Sequence, residues 1–117
     1  MADVRLRRVE SLLREEISSL ILRNQVKDPR VDTLATVSSV SVSTDLAYAK
    51  VRVSGFMDRP ALDAAVDGLN HAAGFIQQQL GRKLRFRHTP RLTFLVDSSI
   101  EDGFKTNQRI EGLSSRG

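Results

Sequence analysis

A chain of 117 residues, 40% hydrophobic and 27% charged, has room for one modest core and not for two, so a single domain over 1–113 with a flexible tail at 114–117 is expected. The absence of cysteine excludes disulfides, thiolate metal sites and a cysteine nucleophile. Eighteen Lys and Arg against fourteen Asp and Glu leave net +4, a balance that favours a polyanionic partner.

The first element reads as a helix from about Asp3 to Arg23. Leu6, Val9, Leu12, Leu13, Ile17 and Leu20 fall on one side of it and Arg7, Ser11, Arg14 and Ser18 on the other. Asp3 is placed to cap it, and proline at Asp28-Pro29 forbids its continuation. Thr33 to Ser43 then has strand composition, but its alternation breaks phase. Leu34, Val40 and Val42 are even while Ala35 and Val37 are odd, which predicts a bulge near Ser38-Ser39. After a Ser43-Thr44-Asp45 turn, Leu46 to Ser54 alternates with Ala49, Val51 and Val53 on one side and Tyr48, Lys50 and Arg52 on the other, the pattern of a hairpin with one solvated face.

Asp58 and Pro60 open a second helical region whose stripe, Leu62, Ala65, Val66, Leu69, Ala73, Ile76, Leu80 and Leu84, runs through Ala72-Ala73-Gly74. Glycine inside a helix costs about 1 kcal/mol relative to alanine. Packing or close approach of another backbone is therefore expected to maintain Gly74 and the nearby Gly68. Arg91 to Asp97 is the third strand, with Leu92, Phe94 and Val96 inward. A last helix, with a capping box at Ser98 and Glu101, is expected after it. The order α-β-β-α-kink-α-β makes this an α+β two-layer sandwich, a three-stranded sheet with helices on one face.

Five of the eighteen cations, Arg82, Lys83, Arg85, Arg87 and Arg91, lie in one ten-residue run without an acid. Several cations along one track neutralise phosphates, and an interleaved aromatic can stack a base, so this run is the first candidate RNA-binding site. Phe86 is its one aromatic. Leu84 and Phe86 as core anchors in a solvated loop is the competing reading. Lys50 and Arg52, beside Tyr48, form a second candidate patch or an ordinary solvated sheet face. The kink residues Ala72, Ala73 and Gly74 complete the candidate set.

Enzymatic signals are poor: the phosphate-cradling GxxxxGK(S/T) loop, GxSxG and HExxH are all absent, and His71 and His88 share no metal-ligand spacing. Turn or cap roles account for Asp45, Asp97 and Asp102. No catalytic residue, metal or cofactor is expected. The N-terminal stretch lacks the apolar core of a secretory signal, and no segment approaches the roughly 18 apolar residues of a membrane span, so a cytoplasmic protein is expected. The cationic surface leaves two function classes open, an RNA-binding domain and a basic scaffold for an acidic protein.

Lys27-Asp28-Pro29-Arg30 after the first helix, Ser43-Thr44-Asp45-Leu46 at the hairpin, Ala72-Ala73-Gly74 at the kink and the stretch from Pro90 to Ser99 occur together in an order that resembles the bacterial ribosome-binding factor A family over residues 3–113. That resemblance implies a KH-like domain of type II topology in which an AxG kink, here Ala72-Ala73-Gly74, replaces the GxxG loop. It also implies a non-catalytic, cofactor-free monomer that binds the small (30S) ribosomal subunit and 16S rRNA late in maturation. Further implications are a link to growth in the cold and indirect partnership with an assembly GTPase. A single glycine at the kink makes shape and phosphate recognition of folded rRNA the expectation, rather than a clamp on four bases.

Overall fold

The structure, a computed structural model, describes residues 4–31 and 34–97. Six elements follow in order: α1 (Val4–Leu22), β1 (Ala35–Val42), β2 (Tyr48–Gly55), α2 (Arg59–His71), α3 (Ala73–Leu84) and β3 (Arg91–Val96). The strands lie side by side as β1-β2-β3, antiparallel across the first pair and parallel across the second. This is the expected KH-like α-β-β-α-kink-α-β order. The expected Asp3 cap and the helix after Ser98 lie outside the described residues.

In α1, Leu13, Ile17 and Ile21 are buried and Leu6, Val9 and Leu20 half-buried, while Leu12 sits exposed at the margin of the stripe. The helix stops several residues ahead of the proline. Asn24 adopts the left-handed conformation (φ 55°), its N–H donates to the Ile21 carbonyl (3.0 Å), and the Gln25 N–H donates to Leu20 (2.9 Å). These two bonds form a Schellman cap, with Asn in the position that glycine usually takes.

The expected bulge is present: pairing runs Val37↔Val53 and then Ser39↔Arg52, leaving Ser38 as the extra residue. It switches the inward parity of β1, so that Ala35, Val37 and Val40 are all buried. In β2 and β3, Ala49, Val51, Val53, Leu92 and Phe94 are buried and Val96 is half-buried, whereas Tyr48 is 59% exposed. All three helices pack on that inward face: α1 lies over β1 and touches α3, and α2 and α3 lie over β3. Burying a Phe94 or a Leu69 there contributes on the order of 1.5–3 kcal/mol each.

Side chains from the helices also close both edges of the sheet. At the β1 edge the Val42 N–H donates to Glu10 Oε2 (2.9 Å). At the β3 edge the Leu92 N–H donates to Gln77 Oε1 (3.0 Å). Phe94 bonds Asn70 twice, its N–H donating to Oδ1 (2.8 Å) and its carbonyl accepting from Nδ2 (2.9 Å). One backbone group of β1 and three of β3 that could otherwise recruit another strand are thereby occupied.

The joint between α2 and α3 is a single residue, Ala72 (φ −90°, ψ 5°). Backbone bonds continue on either side of it, from the Ala72 N–H to Gly68 and from the Ile76 N–H to Ala72, both 3.0 Å. The apolar stripe consequently continues through the bend, with Leu62, Ala65, Val66, Leu69, Ile76 and Leu80 buried and Ala73 and Leu84 packed at its margin. At the N-terminus of α2, Asp58 Oδ1 accepts from the Ala61 N–H (2.9 Å) as a cap, and proline occupies the first turn.

The two glycines have different reasons. A Cβ on Gly68 would lie 3.0 Å from Asp28 Oδ1 and Val31 Cγ2 and 3.1 Å from Arg30 Cβ, so close approach of the 28–31 turn accounts for it. A Cβ on Gly74 would meet nothing within 4 Å, and no glycine in the described structure has positive φ. For Gly74, the expectation of a packing or backbone-approach reason is therefore overturned.

The turn that Gly68 admits is itself tightly held. Arg30 donates from its Nε (3.0 Å) and its backbone N–H (2.9 Å) to Asp28 Oδ1, and from Nη2 to Oδ2 (2.8 Å). These bonds, the side-chain pair first, lower the Asp28 carboxyl to about 2.

Replacing Asn70 with alanine removes two hydrogen bonds from the backbone of an edge strand. It should cost about 1–3 kcal/mol and introduce concentration-dependent association. Urea midpoints and sedimentation at rising concentration check this, and an unchanged midpoint would show that packing alone holds β3. A second expectation concerns acid. The folded state binds the Asp28 proton more weakly than the unfolded chain, so the turn's contribution is complete above the ordinary carboxylate value of about 3.9 and is lost as pH falls through about 2. NMR titration should place the Asp28 midpoint near 2, and Asp28→Asn should abolish that acid-side component of stability; a midpoint near the ordinary value would sink this account.

Candidate nucleic-acid interface

The basic run sorts itself by burial. Leu84 and Phe86 are half-buried against the core and Pro90 is fully buried, while Arg82, Lys83, Arg85, Arg87, His88 and Arg91 are exposed. Phe86 is thus an anchor, and the cations point away from what it anchors. Thr89 folds back against α3, where Gly81 makes room: a Cβ there would lie 2.8 Å from Thr89 Oγ1. Arg82 and Lys83 occupy the last turn of α3, where the helix dipole favours positive charge. The ion pairs Arg30–Asp28 and Arg59–Asp63 use no cation of this run.

Arg85 caps α3 in the left-handed conformation (φ 54°, ψ 41°). A residue with a Cβ there costs on the order of 1 kcal/mol relative to glycine, the usual occupant of such an end. The fold needs a left-handed residue at this point, and the chain supplies a guanidinium with it.

Arg91 joins the two candidate patches. Its N–H donates to the Ala47 carbonyl (2.9 Å), and in the parallel pairing of β2 with β3 it stands opposite Tyr48, with Lys50 opposite Thr93 and Arg52 opposite Leu95. Arg91, Lys50 and Arg52 therefore share the outer face of the sheet, on which no described helix packs. Along β2 the two cations are about 7 Å apart. At the far end Asp97 is engaged by the Ser38 hydroxyl, which also lies 3.2 Å from the Arg52 carbonyl. The hairpin turn that brings β2 back is ordered by Asp45, whose Oδ1 accepts from the Ser43 hydroxyl (2.7 Å) and the Ala47 N–H (3.1 Å); both bonds hold its carboxyl below the ordinary value.

The kink residues lie at the other end of α3. Ala72 and Ala73 are half-buried and pack on the core, whereas Gly74 is exposed. Gly74, Gln78 and Arg82, four residues apart, share the exposed side of the helix, and eight residues of rise separate Gly74 from Arg82 by about 12 Å. Phe75 (39% exposed), with Lys27, Pro29, His71 and Ala72, lines a shallow cleft of about 380 Å³ beside the kink. Neither the exposure of Phe75 nor the neighbourhood of Tyr48 and Arg91 has a local sequence signal: the first depends on where the 27–29 turn docks, the second on parallel pairing across a helical crossover.

Among the described residues, no group of three or more His, Cys, Asp or Glu could hold a metal ion, and no helix is long and apolar enough to cross a membrane. What the surface offers is positive charge without an ion-paired acid among the described residues, around one end of α3 and across the outer face of the sheet.

Comparison with known proteins gives this surface its context. The family model described as ribosome-binding factor A matches residues 5–110. The chain is 46% identical over 113 residues to ribosome-binding factor A of Treponema denticola, covering 97% of this chain and 86% of that protein. It is 41% identical over 108 residues to the protein of the same name from Borreliella burgdorferi, with 92% and 90% covered. The crystal structure of ribosome-binding factor A from Thermus thermophilus superposes with a TM-score of 0.66 at 30% identity, covering 78% of this chain and 94% of that one. A homology model of the Thermus thermophilus protein, fitted into the cryo-EM map of its complex with 30S, gives 0.64 at 30% identity, with 78% and 93% covered. With a family model spanning nearly the whole chain and relatives alike in sequence and in fold, the chain belongs to the ribosome-binding factor A family.

Proposed function

We propose that this protein binds the small (30S) ribosomal subunit during late maturation by contacting 16S rRNA, and that it does so without catalysis. The observation that carries the reading is the set Arg82, Lys83, Arg85, Arg87 and Arg91, exposed together and free of ion pairs with described acids. The Thermus thermophilus relative described in a complex with 30S supports the same partner. Cations in this arrangement recognise phosphates at fixed positions rather than base edges, so folded rRNA is the expected ligand and sequence preference should be weak. A non-catalytic role agrees with the titratable groups whose values are displaced, since Asp28, Arg30 and Asp45 are each explained by a turn. Action as a monomer agrees with the capped sheet edges. Family membership supports the rest of the proposal, a link to growth in the cold and to an assembly GTPase.

At Gly74 we assign a second contact. A glycine with ordinary φ and open space around it gains nothing from the fold, and the absence of a Cβ lets a phosphate backbone approach the first turn of α3 closely.

If about five phosphates are neutralised, log affinity for rRNA should fall against log salt with a slope on the order of −3.5 to −4.5. The Arg85→Ala/Arg87→Ala variant should reduce that slope by about 1.4 to 1.8 and weaken binding alike across RNA sequences. Filter retention across a salt series checks both, and identical slopes for the two proteins would remove the run from the interface. Two further substitutions separate function from fold. Arg85→Gly and Gly74→Ala should each raise stability, by up to about 1 kcal/mol, because each restores the residue its backbone favours. Both should nevertheless weaken subunit binding. A variant that is less stable and binds normally would show that its residue serves packing instead.

A further inference from the structure

The outer face of the sheet carries a pattern distinct from that of the basic run. Its central strand presents Tyr48, Lys50 and Arg52 in a row, and β3 sets Arg91 beside Tyr48 and Thr93 beside Lys50. All five are exposed, and no described helix packs on this face. Among the described residues Tyr48 makes hydrogen bonds through its backbone alone, so its ring hydroxyl has no partner. The three cations have no ion pair there either. A protein-docking surface would have an apolar centre depleted of charge, whereas here one exposed aromatic ring stands beside cations, with Lys50 two residues along β2 and Arg91 across from it.

Resting on the RNA-binding reading above, we propose that this face is a platform for an unpaired, single-stranded segment of RNA. One base stacks on the Tyr48 ring while Lys50, Arg52 and Arg91 neutralise the phosphates on either side. Charge complementarity selects a nucleic acid. The aromatic selects a single strand, because the base faces of an A-form duplex are stacked on each other and unavailable to a side chain. Arg91 belongs both to this face and to the run at the end of α3, so the two cation sets meet at one edge and can serve folded and unpaired parts of the same RNA together.

Tyr48 is the protein's one tyrosine and there is no tryptophan, so intrinsic tyrosine fluorescence reports this site alone. Titrating the full chain with a short oligouridylate should quench that fluorescence. Tyr48→Ala should weaken oligouridylate binding by roughly 5- to 150-fold, the range for loss of one stacked base. Tyr48→Phe should retain it, and Lys50→Ala/Arg52→Ala should lower its salt dependence. A blunt-ended RNA duplex, bound through the basic run, should have the same affinity for Tyr48→Ala as for wild type. If 30S and duplex RNA bind in an Arg85- and Arg87-dependent way while oligouridylate leaves the fluorescence unchanged and Tyr48→Ala binds it normally, the platform is refuted and the basic-run reading stands. If Tyr48→Ala loses 30S binding but keeps oligouridylate, the face docks a protein, which also overturns the proposal. Loss of all RNA binding by wild type would refute the RNA-binding reading itself.

Discussion

The three described helices all lie on one face of the sheet, which puts its inward side chains under a single layer. From that one-sidedness the rest follows. The helices compete for the same small area, so α1 takes β1 while α2 and α3 share β3, and the bend at Ala72 keeps one apolar stripe seated over both half-helices. The bulge at Ser38 belongs to the same constraint. Without the extra residue Val40 would face water and Ser39 the core, so one residue's insertion keeps β1 on the buried side along its whole length.

A sheet so small has two edges for three strands, and a parallel outer strand is a poor place to leave N–H groups unmet. Glu10, Asn70 and Gln77 meet them from the helices. These bonds also set the helices along the strands, a direction that apolar packing leaves free to slide. With three polar side chains committed to its edges, the described part of the domain presents candidate cations on the exposed side of α3 from Gly74 to Arg82 and on the outer face of the sheet. Both candidate contacts for RNA fall there.

Much of this was legible in the sequence because it is written in local periods. The stripe of α1, the alternation of β2 and β3, the phase fault at Ser38, the Asp58 cap and the joint at Ala72-Ala73-Gly74 all depend on residues within a few positions of one another. What escaped depends on distance or on backbone angles. Arg91 meets Tyr48 only because β3 pairs with β2 across a crossover of two helices. Gly68 and Gly74 look alike in the chain, and only the docked 28–31 turn tells a glycine that makes room from one that does not. Phe86 inside a basic run reads equally as a stacking residue or an anchor, and burial decides for the anchor. The end of α1 was set by the left-handed Asn24, a tolerance of asparagine that composition only hints at.

The two ends of α3 show the same departure from what local stability would choose. At its start stands a glycine whose missing side chain accommodates nothing in the fold; at its end stands an arginine where the left-handed backbone favours glycine. Exchanged, each residue type would suit the other site better. Either departure alone is worth on the order of 1 kcal/mol, small beside the roughly 5–15 kcal/mol that a domain retains. Both lie on one short helix, on its exposed side, and the second falls inside the densest positive run of the chain. Local choices that disagree with the fold tend to mark functional positions, and here the disagreement has a direction: bare backbone at one end and a guanidinium at the other, about 16 Å apart along the helix, are complementary to phosphates along one strand of folded RNA.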